Sequence, residues 1–346
     1  MVFDLGKRVI GQGRPFIVAE LAQAHDGSLG QAHAYIDAVA DAGADAIKFQ
    51  THIAAAESTY DEPFRVKFSA QDATRYDYWR RMEFRAEEWG GLAKHASERG
   101  LVFLSSAFSP EAVELLRNLD MPAWKIASGE LGSSHLLECM MEDDRPILVS
   151  SGMSSWSDLD RLISVLADHK KKFAVMQCTT KYPTPLEQVG LNVLAEMRER
   201  YDCPVGLSDH SGTVFPSLAV MSELADIVEV HVVFDKRMFG PDTCASIDIE
   251  ELEFLCKSRD AFQVMHENPV DKDHFAAEFE EMRAMFGRSL ALKRDLPAGT
   301  VLSVNDLTAK KPAGGIHQNQ LDRVVGKKLA RDVPASRLLR EEDLFQ

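Results

Sequence analysis

Eight short apolar runs punctuate the first 270 residues: FIVAE (16–20), DAIKFQ (45–50), LVFLSS (101–106), WKIAS (124–128), ILVSS (147–151), FAVMQC (173–178), PVGLSD (204–209) and IVEVHV (227–232). Their apolar positions are consecutive rather than alternating, the pattern of parallel strands buried on both faces. The stretches between them repeat at helical spacing and carry boundary signals. Ser109-Pro110 fits an N-cap with proline at the first helical position, Ser155 with Asp158 reads as a capping box before Leu159, Leu162, Ile163 and Leu166, and Gly100 closes a helix around 86–99. Eight strand–helix units in a row predict an α/β fold, a closed (β/α)8 TIM barrel, with an open doubly wound sheet as the alternative.

After about residue 285 the pattern changes to short strand-like pieces, RSLALK, TVLS and LTAKK, separated by the turns PAGT and PAGG. The expected organisation is a barrel over 1–270, a polar linker with a short helix over 271–286, and a small β-rich domain over 287–346. The charge supports the division. Residues 287–346 hold 11 Lys and Arg against 7 Asp and Glu, whereas the whole chain carries a formal net charge of −15.

That acidity argues against a general nucleic-acid binder, whose footprint should be basic. No apolar stretch is long enough for a membrane span or a leader h-region, so a cytoplasmic protein with no membrane partner is expected. The five cysteines lack any C-x-x-C spacing and suggest neither a disulfide framework nor a zinc ribbon.

In such a barrel the polar residues that end the strands converge on one mouth. Here they are Glu20, Lys48, Gln50, Ser106, Lys125, Ser128, Glu130, Ser150, Thr179, Ser208, Asp209, His210, Glu229 and His231. Lys48 and Lys125 stand inside apolar runs, where an unpaired ammonium is costly. Each is either paired with an internal carboxylate such as Glu20 or Glu130, or joins Ser106, Ser128 and Ser150 in a site for a small, multiply charged anion. His210 and His231 end successive strands and, as neutral imidazoles, could together hold a divalent cation; singly, each reads as a structural histidine. Without further context YPTP (182–185) reads as a rigid loop and GPD (240–242) as a plain turn.

Taken in order, AELAQAHDGSLGQA, AGADAIKFQT, FLSSAFSPEAVELL, PAWKIASGE, ILVSSGM, CTTKYPTP, VGLSDHSG and FDKRMFGPDTCAS resemble the sialic acid synthase family, which includes the N-acetylneuraminate, legionaminate and pseudaminate synthases. RSLALKRDLPAGTVLSVNDLTAKKPAGGI resembles the SAF, or antifreeze-like, domain that ends those enzymes. The resemblance implies condensation of phosphoenolpyruvate with an N-acetylated amino sugar such as N-acetylmannosamine, assisted by Mn2+ or Mg2+. It assigns His210 and His231 to the metal. Lys48, Ser106, Lys125, Ser128, Ser150 and Ser208 fall to phosphoenolpyruvate; Gln50, Glu130, Tyr182 and Asp242 fall to the sugar. Glu20 or Glu130 would serve as the base, beside the catalytic lysines Lys48 and Lys125. It further implies a domain-swapped homodimer, in which Lys311 stands where the family usually presents arginine to the sugar of the partner subunit.

Departures from the family pattern at Ala24-His25, Thr180-Lys181, Ser105-Ser106 and Lys311 bear on the sugar rather than on the anion site. ASGE (127–130) is more similar to the neuraminate and legionaminate branches than to the pseudaminate branch. Two other readings stand beside this one: a 3-deoxy-ulosonate synthase acting on a sugar phosphate, which needs more basic residues than the acidic barrel offers, and a sugar-binding barrel without turnover.

Overall fold

The computed structural model describes residues 1–119, 121–222 and 225–345, which form two compact units, Met1–Glu267 and Asn268–Gln346. In the first unit eight parallel strands close on themselves: β1 (Phe16–Ala22), β2 (Ala46–Thr51), β3 (Val102–Ala107), β4 (Trp124–Ile126), β5 (Ile147–Ser150), β6 (Phe173–Cys178), β7 (Val205–Asp209) and β8 (Ile227–Val233). β8 pairs with both β7 and β1, and this closure excludes the open sheet. Each strand coincides with one of the eight apolar runs, because a strand covered on both faces loses apolar surface to water on neither.

A helix follows each strand: α1 (Leu29–Asp41), α2 (Ala86–Glu98), α3 (Pro110–Arg117), α4 (Ser134–Met141), α5 (Trp156–Asp168), α6 (Leu191–Arg200), α7 (Phe215–Met221) and α8 (Ile249–Glu267). The boundaries obey the local chemistry of the chain. The Ser109 side chain accepts from Ala112 N with Pro110 just inside α3, and Ser155 and Asp158 cap α5 reciprocally. Gly100 follows α2 at φ +80°, a left-handed conformation that costs glycine nothing.

Three features escaped the apolar pattern. An N-terminal hairpin, Phe3–Leu5 with Arg8–Ile10, sends Phe3, Leu5 and Ile10 into the barrel core. Ile247–Asp248 adds a parallel edge piece beside β8. Between β2 and α2 the chain makes a long excursion with two short helices, Ala54–Glu57 and Arg75–Met82, and an apolar cluster of its own built on Tyr78, Trp79 and Met82. Connections of this length in a barrel are uncommon unless they serve a site.

The opposite end of the barrel is tied by charge. Asp45, just before β2, accepts from Arg14 Nη1 at 2.7 Å, Arg259 Nη1 at 2.6 Å and the Ile17 amide at 2.9 Å, with Arg8 at 3.3 Å. The N-terminal segment, β1, β2 and α8 are thereby pinned to one carboxylate.

In the second unit, β9 (Ser289–Leu292) pairs antiparallel with β10 (Leu307–Lys310) over a small core that includes Leu290, Leu292, Leu302, Leu329 and Leu339. TVLS, expected as a strand, makes only an isolated bridge from Val301 to Lys328. The expected linker with one helix instead carries two short helices, Lys272–Ala277 and Glu280–Phe286. Among the described residues no helix is long and apolar enough to cross a membrane.

Candidate active site

Strand register assembles the site before any side chain is considered. Glu20 on β1 lies beside Lys48 of β2 and His231 of β8; Gln50 lies beside Ser106 of β3, Ser106 beside Lys125 of β4, and Ser208 of β7 beside Glu229 of β8. A cavity of about 380 Å³ opens above this ring. That is the size of a site for small substrates, which typically spans roughly 300–1,000 Å³. Its lining includes thirteen of the fourteen residues that the family resemblance assigns to the site: Glu20, Lys48, Gln50, Ser106, Lys125, Ser128, Glu130, Ser150, Tyr182, Ser208, His210, His231 and Asp242. The fourteenth, Lys311, belongs to the second unit, where its ammonium lies 4.8 Å from the centre of the Phe286 ring. Asp209 ends β7 but does not line the cavity; it accepts from the Ser211 amide and the Ser211 and Ser217 hydroxyls, and burial raises its pKa to about 6.

The floor is ionic and buried. Lys48 Nζ lies 2.5 Å from Glu20 Oε2, 3.6 Å from Glu229 Oε1 and 3.3 Å from Ser106 Oγ. Lys125 Nζ donates to Ser150 Oγ at 2.7 Å and sits 3.6 Å from the same Glu229 oxygen. The expected partner Glu20 is therefore found for Lys48. For Lys125 the partner is Glu229 rather than Glu130, because β8 brings Glu229 between the two lysines while Glu130 stays half-buried near the rim.

Desolvation and charge divide these four groups. Burial opposes the charge on Lys48, but Glu20 and Glu229 outweigh it and its pKa rises; burial lowers Lys125, which Glu229 compensates only in part. Burial raises Glu20 against the pull of Lys48, with the like charge of Glu229 adding to the rise. For Glu229 burial acts upward too, yet Lys125 and Lys48 together hold it low. Two carboxylates of one type are thus driven apart, one ready to accept a proton and one staying ionised. Glu229 Oε2 has no hydrogen-bond partner, and an incompletely compensated Lys125 beside Ser150 and Ser128 invites an anion.

The two imidazoles meet on adjacent strands, their ring centres 5.1 Å apart. Burial, then the neighbouring imidazole, holds His210 at about 3; burial, then Lys48, holds His231 at about 3. Both are neutral and so keep a lone pair for a metal. His210 Nδ1 faces the Thr179 carbonyl at 3.2 Å, which assigns its proton there and turns Nε2 toward Tyr182 Oη at 3.1 Å. A backbone carbonyl holding the far nitrogen is the usual support of a metal-bound histidine. Among the described residues no third His, Cys, Asp or Glu joins them in metal-binding geometry, so any cation here would depend on substrate or water for its remaining ligands.

The long excursion after β2 supplies the outer wall, and sequence reasoning missed its contribution. The Arg65 guanidinium lies 4.0 Å over the Tyr182 ring, 2.7 Å from Asp242 Oδ1 and 3.1 Å from the Pro241 carbonyl oxygen. His52, Glu57, Glu62, Arg75 and Trp79 line the same side. Glu229 was visible as a polar strand residue but received no role. Arg65 sits in an irregular stretch with no strand-end signal to find it.

The NeuB family profile matches residues 35–270 and the SAF domain profile residues 287–344. An N,N'-diacetyllegionaminic acid synthase of Campylobacter jejuni is 30% identical over 95% of this chain and 99% of its own length. The human N-acetylneuraminate-9-phosphate synthase is 30% identical over 97% and 94%. The crystal structure of the spore coat polysaccharide biosynthesis protein spsE from Bacillus subtilis superposes with a TM-score of 0.66 at 27% identity, covering 100% of this chain and 99% of that one.

Proposed function

The chain belongs to the NeuB family and ends in a SAF domain, and from that premise we propose that it is a nonulosonic acid synthase, condensing phosphoenolpyruvate with an N-acetylated amino sugar and releasing phosphate. The observation that carries the reading is the pair of buried lysines, Lys125 among them only partly compensated, flanked by serines at the foot of a cavity whose rim holds two neutral imidazoles. Acids related to sialic acid are the products named for its relatives, and legionaminic and pseudaminic acids remain alternative products of this chain.

In this reading Lys48, Lys125, Ser106, Ser128, Ser150 and Ser208 bind the phosphate and carboxylate of phosphoenolpyruvate. Their charge is preorganised in a water-poor site, where it is worth more than in bulk solvent. Gln50, Glu130, Tyr182 and Asp242 orient the open-chain sugar, whose aldehyde carbon is attacked by C3 of phosphoenolpyruvate. The new C–C bond leaves a cation at C2 while the former aldehyde oxygen takes up a proton; water adds at C2, giving up one proton to Glu20, and phosphate departs by C–O cleavage together with the remaining hydroxyl proton to leave the ketone. Glu20 suits this role because burial raises its proton affinity while Lys48 keeps it in place. Glu130, raised by burial and by Glu57, is the alternative base.

His210 and His231 would hold Mn2+ or Mg2+, and their neutral state and the carbonyl behind His210 fit that task. When bound, the ion supplies Lewis-acid polarisation of the sugar carbonyl. A homodimer in which the second unit of one copy brings Lys311 to the sugar of the other completes the reading; lysine offers a point charge where arginine offers a fork.

The test is phosphate release from phosphoenolpyruvate across 2-acetamido and 2,4-diacetamido sugars, with either metal present. Release with at least one sugar, absent without it, is expected. Release only with arabinose 5-phosphate or erythrose 4-phosphate would replace this reading with the ulosonate one, and sugar binding without release would replace it with a non-catalytic barrel.

A further inference from the structure

We propose that His52 is a positioning residue for the amino-sugar acceptor: gripped by Glu57 and by two aromatic faces, it presents an N–H to Gln50 and thereby fixes which end of that amide faces the reacting groups. The inference rests on the acceptor-binding reading of Gln50 given above.

His52 is the first residue beyond β2, buried, with its ring between two others. The Trp79 ring centre is 3.8 Å away at an interplanar angle of 16°, and that of Phe108 is 4.4 Å away at 10°. Its Nδ1 lies 2.5 Å from Glu57 Oε1, and its Nε2 lies 3.3 Å from Gln50 Oε1. Glu57 is held for this contact by the short helix Ala54–Glu57, whose first amide donates to Glu83.

Hydrogen-bond accounting then leaves little freedom. Both ring nitrogens face oxygens, and a neutral imidazole has only one N–H. Because Nε2 faces the amide oxygen of Gln50, which can only accept, the contact requires the N–H on Nε2.

The far end of the Gln50 amide shows what this achieves. Its Nε2 donates to Glu20 Oε1 at 2.9 Å. Turning the amide over would point its oxygen at the Glu20 carboxylate and its NH2 group at the His52 N–H, two repulsive contacts at once. His52, nearer to that oxygen than the second donor Gln23 Nε2 at 3.5 Å, therefore keeps Gln50 donating to Glu20.

The experiment compares full-length variants. His52→Phe keeps the stack and removes the donor. Acceptor KM should rise about tenfold, the effect of one lost hydrogen bond, while the KM for phosphoenolpyruvate stays within about twofold and the melting temperature is retained. Glu57→Gln, with His52 present, should leave acceptor KM near the wild-type value, because its NH2 group can donate to Nδ1 and leave the proton on Nε2. In Gln50→Ala, adding His52→Phe should change acceptor KM little further. Unchanged acceptor KM in His52→Phe, or full additivity with Gln50→Ala, overturns the proposal. Should His52→Phe fail to fold, Glu57→Leu asks the same question by releasing the ring. Nitrogen-15 spectra of histidine-labelled wild-type protein read the ring without turnover: a protonated His52 Nε2 is expected, and a bare one overturns the proposal. The functional reading fails separately, if wild-type protein releases no phosphate with any acceptor.

Discussion

The two ends of the barrel hold buried ion clusters of opposite temper. At the closed end, both oxygens of Asp45 are occupied by donors from Arg14, Arg259 and the Ile17 amide. At the open mouth, three residues further along the same strand, Lys48 shares Glu229 with Lys125 while Glu229 Oε2 goes unpartnered beside a cavity of about 380 Å³. A saturated cluster stabilises because every desolvated charge meets its complement. An unsaturated one costs folding energy that only a ligand returns. The same ingredients thus hold the chain together at one end and await substrate at the other.

The sharpest way to break this comparison is Lys125→Met. Turnover should fall by about 10³-fold or more, as when a preorganised charge is removed, whereas stability to denaturant should fall less than in the closed-end variant Asp45→Ala, since Glu229 keeps Lys48 as a partner. Retained turnover, measured by phosphate release, would end the case for an anion site at the mouth. Asp45→Ala is the mirror test. Removing the shared partner of the buried Arg259 should cost about 3–5 kcal/mol of stability, with both KM values untouched; a normal denaturation midpoint would show that the closed end carries no clamp.

Arg65→Ala sharpens the picture at the rim. Loss of the stack on Tyr182 and the pair with Asp242 should raise acceptor KM about five- to tenfold, and Arg65→Lys should recover only part of it because an ammonium neither stacks flat nor forks. Equal KM in all three proteins would remove Arg65 from sugar binding. The smallest effect concerns pH. A base works ionised, and Glu20 lies above its ordinary 4.5, so kcat/KM should fall with decreasing pH through a value displaced toward neutrality. Glu229→Gln removes the like charge that adds to this displacement, and the acid limb should move down. A limb that stays in place would take Glu20 out of the proton transfer.

Much of this was legible from residue order. The eight apolar runs predicted the eight strands, since burial on both faces leaves no room for polar alternation, and the serine caps and Gly100 marked helix ends by local chemistry alone. Strand-end polar residues pointed to the mouth, and twelve of the fourteen line it, Thr179 and Asp209 being the exceptions. The N-terminal hairpin and the isolated bridge at Val301 were not legible, being too short to leave a period. Nor were the roles of Arg65 and His52, whose partners lie on other loops.

What the order of residues determined by itself is the barrel, its appended domain and the set of groups brought to the rim, because strand period, capping and the direction of a parallel strand are local properties. Which carboxylate each lysine meets, which glutamate gains a proton affinity and which amide end faces the reacting centre were decided only by tertiary structure. Those outcomes turn on separations of 2.5–3.6 Å between groups far apart along the chain, and in a dry interior a difference of one ångström selects the partner that dominates.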